Sequence, residues 1–147
     1  MRQTVELSNK LIKDGHEMQV RVYYEDTDFS GVVYHSNYLK YMERSRTEWL
    51  RHLNVFHTDL EEDKSAFAVH KMNLQFGPPA VIDDLLIIRT IRKQIGGARA
   101  KLRQEVLREE ADGSQTLLLG ADVDVAFIHH GGGAKRFPDE LRKILDN

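Results

Sequence analysis

Between residues 36 and 53 the positions Leu39, Met42, Arg46, Trp49, Leu50 and Leu53 recur at helical spacing, with no Gly or Pro to interrupt them. The pattern predicts one helix of about 17 residues, roughly 25 Å long at 1.5 Å per residue. No other stretch offers a helix of that length. Whatever apolar surface the rest of the chain makes must therefore be covered by this single rod.

The rest of the chain reads as strands. Met18, Val20, Val22 and Tyr24 alternate with Gln19, Arg21, Tyr23 and Glu25, the period-two signature of a half-buried strand, which points Tyr24 inward. After the helix a run through Ala66, Ala68, His70, Met72, Leu74 and Phe76 is stopped by Gly77-Pro78-Pro79, and a second run extends over about 84–95. Gly96-Gly97 and Asp112-Gly113 are hairpin signals, so the last three strands form an antiparallel meander. In the final strand Leu117, Leu119, Ala121, Val123, Val125 and Phe127 share one apolar face, with Asp122 and Asp124 on the other. These elements give an α+β chain: an antiparallel β-sheet wrapped around one long central α-helix. A single domain is expected over 1–147, with its core at about 17–130 and a short closing helix at about 138–145, begun by Pro138.

The totals exclude several classes of function. Twenty-one basic and 23 acidic residues give a net charge of -2, with no long run of one sign to hold nucleic acid. The chain has no cysteine, which removes disulfides, thiolate metal sites and thiol nucleophiles, and suits a reducing compartment. The N-terminal ten residues lack the apolar core of a signal peptide, and no later segment approaches about 18 consecutive apolar residues. A soluble cytoplasmic protein is expected, with no membrane span and at most a peripheral place at the inner membrane.

The segment over residues 23–38, Tyr-Tyr-Glu-Asp-Thr-Asp-Phe-Ser-Gly-Val-Val-Tyr-His-Ser-Asn-Tyr, sets an acid and an imidazole where the strand gives way to the helix. Asp28 and His35 flank Gly31, beside the first free N–H groups of the helix, where a negative oxygen is stabilised. Competing readings are weaker. Asp26, Asp28 and Ser30 before Gly31 imitate the opening of a calcium loop, yet Asn37 stands where a bidentate Glu is needed. His130-Gly131-Gly132-Gly133 resembles a lipase oxyanion loop, but the chain has no Gly-x-Ser-x-Gly nucleophile, so the glycines read as a loop. His129 and His130 have no identifiable metal partner. Arg89, Arg92, Lys93, Arg99, Lys101 and Arg103 gather around the Gly96-Gly97 hairpin; Arg99 and Lys101 are candidates to grip the phosphates of an anionic substrate.

Residues 24–38, continued along the helix by Tyr41-Met-Glu-Arg-x-Arg-Thr-Glu-Trp-Leu, closely resemble the hotdog-fold acyl-CoA thioesterases of the 4-hydroxybenzoyl-CoA thioesterase-like branch, YbgC type. The resemblance covers about residues 17–130. It implies a hotdog fold and an acyl-CoA thioester hydrolase that needs no cofactor. It implies that Asp28 is the catalytic carboxylate and that His35 and Tyr24 are active-site residues. It further implies an aliphatic acyl group, from the histidine at 35, and active sites between the protomers of a homodimer or homotetramer. An ionised Asp28 could attack the thioester or deprotonate water, and sequence leaves both open. A scaffold that binds acyl groups or an acyl carrier protein without hydrolysis is the alternative of a different class. A hotdog dehydratase is a third possibility.

Overall fold

The computed structural model describes residues 6–146, so the outermost ends of the expected 1–147 domain lie outside the described residues. The chain runs β1 (Asn9–Ile12), β2 (Gly15–Arg21), a 3-10 turn (Tyr24–Asp26), α1 (His35–His52), α2 (His57–Glu62), β3 (Ser65–Phe76), β4 (Leu85–Ile95), β5 (Arg99–Glu109), β6 (Gln115–His129) and α3 (Asp139–Asp146). The strands form one antiparallel sheet in the order β1-β2-β4-β5-β6-β3. Both hairpins expected at Gly96-Gly97 and Asp112-Gly113 are present, joining β4 to β5 and β5 to β6.

Helix α1 lies across this sheet. Its buried residues are Tyr38, Tyr41, Met42, Ser45, Trp49 and Leu50; the two tyrosines, Met42 and Trp49 share a core with Val22 and with Leu86, Ile88, Val106, Leu119 and Val123 from the strands. The buried stripe is rotated from the predicted one: Leu39 is exposed, and the tyrosines at 38 and 41 fill the core. Polar groups fix how the helix seats. Ser45 Oγ lies 3.0 Å from Thr90 Oγ1, Gln104 Nε2 donates to Thr90 Oγ1 and to the Met42 carbonyl, and Arg46 donates to Gln104 Oε1 at 2.9 Å. A slide of α1 along the sheet would strand these buried groups without partners, which is costly away from water.

Three expectations need correction. The strand carrying Met18 and Val20 ends at Arg21, and the chain turns tightly: Asp26 Oδ2 accepts from the Tyr23 amide, and the Thr27 amide donates to the Tyr24 carbonyl. Tyr24 therefore leaves the alternation and stands 82% exposed instead of pointing inward. Leu117 is exposed as well, because a bulge between Val106 and Leu107 shifts the β5–β6 register and puts Leu118 into the core. The core also extends past the expected limits. The short hairpin β1–β2 was not foreseen, and Phe137, Leu141 and Leu145 at the C-terminal end pack with Leu50, Val55 and Phe127. The glycines at 131–133 all take positive φ, making a tight reversal that closes with the His129 amide on the Gly133 carbonyl.

Candidate active site

A small loop between the 3-10 turn and α1 carries Asp28. Thr27 and Val33 pair across it, the Asp28 amide donates to the Val32 carbonyl at 2.8 Å, and the Gly31 amide returns to the Asp28 carbonyl at 3.0 Å. Gly31 has φ +85°, a conformation that side chains resist, so glycine suits this corner. The loop is fastened to the body of the protein by the Val33 amide on the Ala80 carbonyl and by a bridge between Val32 and Val81. It is fastened to the helix through Asp26, whose carbonyl accepts from the Tyr34 amide at 3.1 Å and from Asn37 Nδ2 at 2.7 Å.

The start of α1 is open. Its cap residue is Tyr34, which makes no side-chain capping bond, where Ser, Thr, Asp or Asn would ordinarily satisfy the first amides. The Asn37 amide turns back to the Tyr34 carbonyl, while the amides of His35 and Ser36 come before it and have no intrahelical acceptor. Those two N–H groups and the positive end of the helix dipole are available to an incoming oxygen.

Asp28 lies beside this end, fully exposed to solvent in the single chain. Its Oδ1 accepts from the Ser30 amide at 2.8 Å and from the Ser30 hydroxyl at 2.6 Å. The Ser30 hydroxyl, above all, holds the Asp28 carboxyl below its ordinary range; the Ser30 amide adds to this, and nearby His35 contributes less. The carboxylate is therefore ionised at neutral pH. The His35 ring packs 4.9 Å from that of Phe76, the last residue of β3, and 6.3 Å from Tyr34. Tyr38, one turn on, also meets Phe76, edge to face at 6.0 Å, and its hydroxyl accepts from the Ala80 amide.

The structure thus brings Asp28 and His35 together, with Tyr24 on the adjoining turn and exposed. Arg99 and Lys101 stand elsewhere. They open β5, whose far end at Arg108 pairs with Leu86 on the Asp28 side, so about nine residues for Arg99 and seven for Lys101, roughly 30 and 24 Å at 3.4 Å per residue, separate them from that side. Three other cations of the predicted cluster are committed to the fold: Arg89 pairs with Glu17 and Glu105, Arg92 with Asp14, and Arg103 with Asp122. Lys101 instead borders a shallow depression of about 330 Å³ with Lys71, Lys93, Asp122 and Asp124.

Sequence reasoning missed Ser30, Phe76 and Asn37. The serine two residues after an aspartate is a readable turn signal. Phe76 meets His35 only through the tertiary fold, and no local pattern announces it. An apolar cavity of about 280 Å³ also lies away from Asp28, between the C-terminal half of α1 and the sheet, lined among others by Trp49, Leu50, Phe67, Val69, Leu102 and Val125. Among the described residues no cluster of His, Cys, Asp or Glu could hold a metal ion, and no helix is long and apolar enough to cross a membrane.

One long helix laid over an antiparallel sheet is the hotdog arrangement of thioesterases, and known proteins share that fold. The 4-hydroxybenzoyl CoA thioesterase from Pseudomonas sp. strain CBS-3 superposes with a TM-score of 0.81, covering 89% of this chain and 99% of that one at 22% identity. A probable thioesterase from Bartonella henselae superposes with a TM-score of 0.77 at 41% identity, covering 84% of this chain and 99% of that one. In sequence the chain is 40% identical over 135 residues to the acyl-CoA thioesterase YbgC of Haemophilus influenzae, spanning 90% of this chain and 95% of that protein. Residues 30–114 match the thioesterase superfamily, 4HBT, and the chain belongs to that family.

Proposed function

We propose that this chain hydrolyses acyl-CoA thioesters to a free acid and coenzyme A, with Asp28 as the reacting carboxylate. The observation that carries the reading is the uncapped start of α1 next to an ionised, exposed carboxylate. A thioester carbonyl directed at the His35 and Ser36 amides would have its developing oxyanion stabilised. Removing one such donor costs about 3 to 4 kcal/mol in other enzymes. Either the Asp28 carboxylate adds to the acyl carbon, the carbon–sulfur bond breaks with loss of the thiolate and water then cleaves the resulting anhydride, or Asp28 takes a proton from a water that adds to the acyl carbon and expels the thiolate directly. Thiols titrate near 8.5, so the thiolate leaves without a strong acid, and His35 has only to orient the carbonyl or pass a proton. Tyr24, on the exposed turn beside the loop, is proposed to contact the acyl-CoA. The kinship with the Haemophilus influenzae enzyme supports acyl-CoA as the substrate class, and the histidine at 35 supports aliphatic acyl groups.

The reading includes a homodimer. β3 is a twelve-residue edge strand with exposed Val69 and Phe76, and such an edge invites pairing with a second copy. Antiparallel pairing about a two-fold axis would set the Phe76 end of one β3 beside the Ser65 end of the other. Asp28 and His35 of one protomer would then face the apolar cavity of its partner, which would take the acyl chain. Arg99 and Lys101 would come within three strand spacings, roughly 15 Å, of the partner's site, within reach of the phosphates of coenzyme A. A second pairing would give a tetramer, and sedimentation should return a mass of two or four 17.0 kDa chains.

The test is thiol release from short, long and aromatic acyl-CoA substrates, with EDTA present because no metal or other cofactor is proposed. Release that is unaffected by EDTA and greatest with aliphatic chains is the expected result. Tight binding of acyl groups or an acyl carrier protein without release would instead establish the scaffold alternative.

A further inference from the structure

We propose that Ser30 is the positioning residue of Asp28, fixing which carboxylate oxygen faces the thioester. The inference rests on the reading of Asp28 as the reacting group. Both donors of Ser30 converge on the same atom: its amide reaches Asp28 Oδ1 at 2.8 Å and its hydroxyl reaches the same oxygen at 2.6 Å. The Val32 amide also draws on the carboxylate, more weakly than Ser30, and among the described residues no donor makes a hydrogen bond within 3.5 Å to Oδ2. An oxygen that accepts two hydrogen bonds has its charge stabilised and its lone pairs engaged, whereas the other keeps its electron pairs for the substrate or for water. Oδ1 is the anchor and Oδ2 the reactive atom.

An exposed aspartate with only water around it would sample several rotamers, each time losing that freedom when substrate arrives. Here the backbone of residue 28 is fastened by its own amide and carbonyl, and the side chain by Ser30, so the carboxylate plane is set beforehand. The device is encoded locally. Asp112 and Ser114 repeat it in the β5–β6 turn, with the Ser114 amide and hydroxyl both on Asp112 Oδ1. The turn at Asp112 builds the arrangement without help from substrate or a second chain, whereas in Asp63-Lys64-Ser65 the Ser65 hydroxyl donates to the Asp63 backbone carbonyl instead, so the turn conformation and not Asp-x-Ser alone makes it. What differs at Asp28 is the neighbourhood, an open helix start and His35. Because the Ser30 hydroxyl is the largest influence lowering the Asp28 pKa, its removal also lets the carboxyl titrate at higher pH.

The experiment compares wild type, Ser30→Ala, Ser30→Thr and Asp28→Asn by steady-state thiol release from a good acyl-CoA substrate. It also follows the Asp28 side-chain carboxyl carbon by NMR through a pH titration. Ser30→Ala should lower kcat by about tenfold at unchanged KM, the scale on which misplaced reacting groups slow enzymes. Its Asp28 carboxyl should begin to protonate at higher pH. Ser30→Thr, which keeps the hydroxyl, should restore both properties. Wild-type kcat in Ser30→Ala alongside an inactive Asp28→Asn would overturn the role of Ser30 and leave Asp28 standing. Full turnover by Asp28→Asn would overturn the reading of Asp28 and this inference with it. A loss in Ser30→Ala that Ser30→Thr does not repair would mark Ser30 as merely structural and also refute the proposal.

Discussion

At its N-terminal end α1 begins on Tyr34 without a side-chain cap, beside the exposed Asp28 and His35. At its C-terminal end His52 Nδ1 lies 2.8 Å from the Glu48 carbonyl, the Leu53 amide turns back onto Trp49 and Leu50, and the His52 ring lies 5.1 Å from that of His16. His16 is fully buried, its Nε2 2.6 Å from Asn9 Oδ1. Both ends carry imidazoles and nearby carboxylates, yet the first leaves helix amides without a cap, while the second turns the chain back on its own carbonyls and buries His16 beneath the exposed His52. Burial holds His16 neutral, with a pKa lowered to about 4, and the neighbouring His52 adds to that effect. An imidazole so held stays uncharged at neutral pH. The same helix thus offers a reactive end and a structural end, and what separates them is which backbone groups the fold leaves without partners.

The largest expected effect breaks the open end. Asp28→Asn should lower turnover at least about a thousandfold, the order seen when a reacting group is removed from other hydrolases. The melting temperature should hardly move, because the asparagine side-chain oxygen can accept both bonds from Ser30 and the residue is exposed. Thiol-release kinetics and a thermal melt check both halves. A variant that loses activity only by unfolding would make this end structural too.

The closed end should respond to acid instead. His16 has a folded-state pKa of about 4 against 6.5 for the free residue, so the unfolded chain binds the proton first as pH falls. Stability is then full above pH 6.5 and declines toward pH 4, by about 3 kcal/mol in total at 1.36 kcal/mol per unit. Urea melts across that range should show the slope, and His16→Leu should flatten it whatever its absolute stability. An unchanged slope in that variant would remove the contrast in protonation between the two ends.

A smaller effect concerns the substrate's remote part. Arg99→Ala should raise KM for acyl-CoA by roughly fivefold, the worth of about 1 kcal/mol for a solvent-exposed charged contact. KM for the same acyl group on a short thiol lacking the nucleotide should stay constant. Equal losses on both substrates would mean that Arg99 acts on the fold and not on coenzyme A phosphates.

How far the sequence showed this division follows from the range of the interactions. The long helix, the meander and the setting of Asp28 and His35 were legible because period, glycine pairs and an acid before a helix start are local signals. Tyr24 was misread because nothing in alternation reveals where a strand stops: the Tyr23–Asp26 hydrogen bond ends the pattern three residues early. Leu117 was misread because a bulge inserts one residue at Leu118: the side chains from Leu119 to Phe127 keep the expected face, and the one before the bulge is turned outward. Phe76 beside His35, and Asn9 beside His16, join residues 41 and 7 positions apart, and only the folded sheet brings them into register. The distance from Arg99 to Asp28 was equally hidden, since a basic cluster in sequence does not say at which end of a strand it falls.

The smallest expected effect is the most exacting check on the claim that neighbourhood decides. Asp112 sits in the same turn as Asp28, with the Ser114 amide at 2.9 Å and the Ser114 hydroxyl on one carboxylate oxygen, and its pKa is likewise lowered by that hydroxyl above all. Its turn joins two strands, with no helix start and no histidine facing it. If an ionised, hydrogen-bonded carboxylate were enough for hydrolysis, the two aspartates would be equivalent. Asp112→Asn should instead leave kcat, KM and the melting temperature within experimental error of the wild type, because asparagine keeps the turn and no amide-lined oxyanion site lies beside it. A measurable fall in kcat for Asp112→Asn would show that the open end of α1 is not what makes Asp28 special.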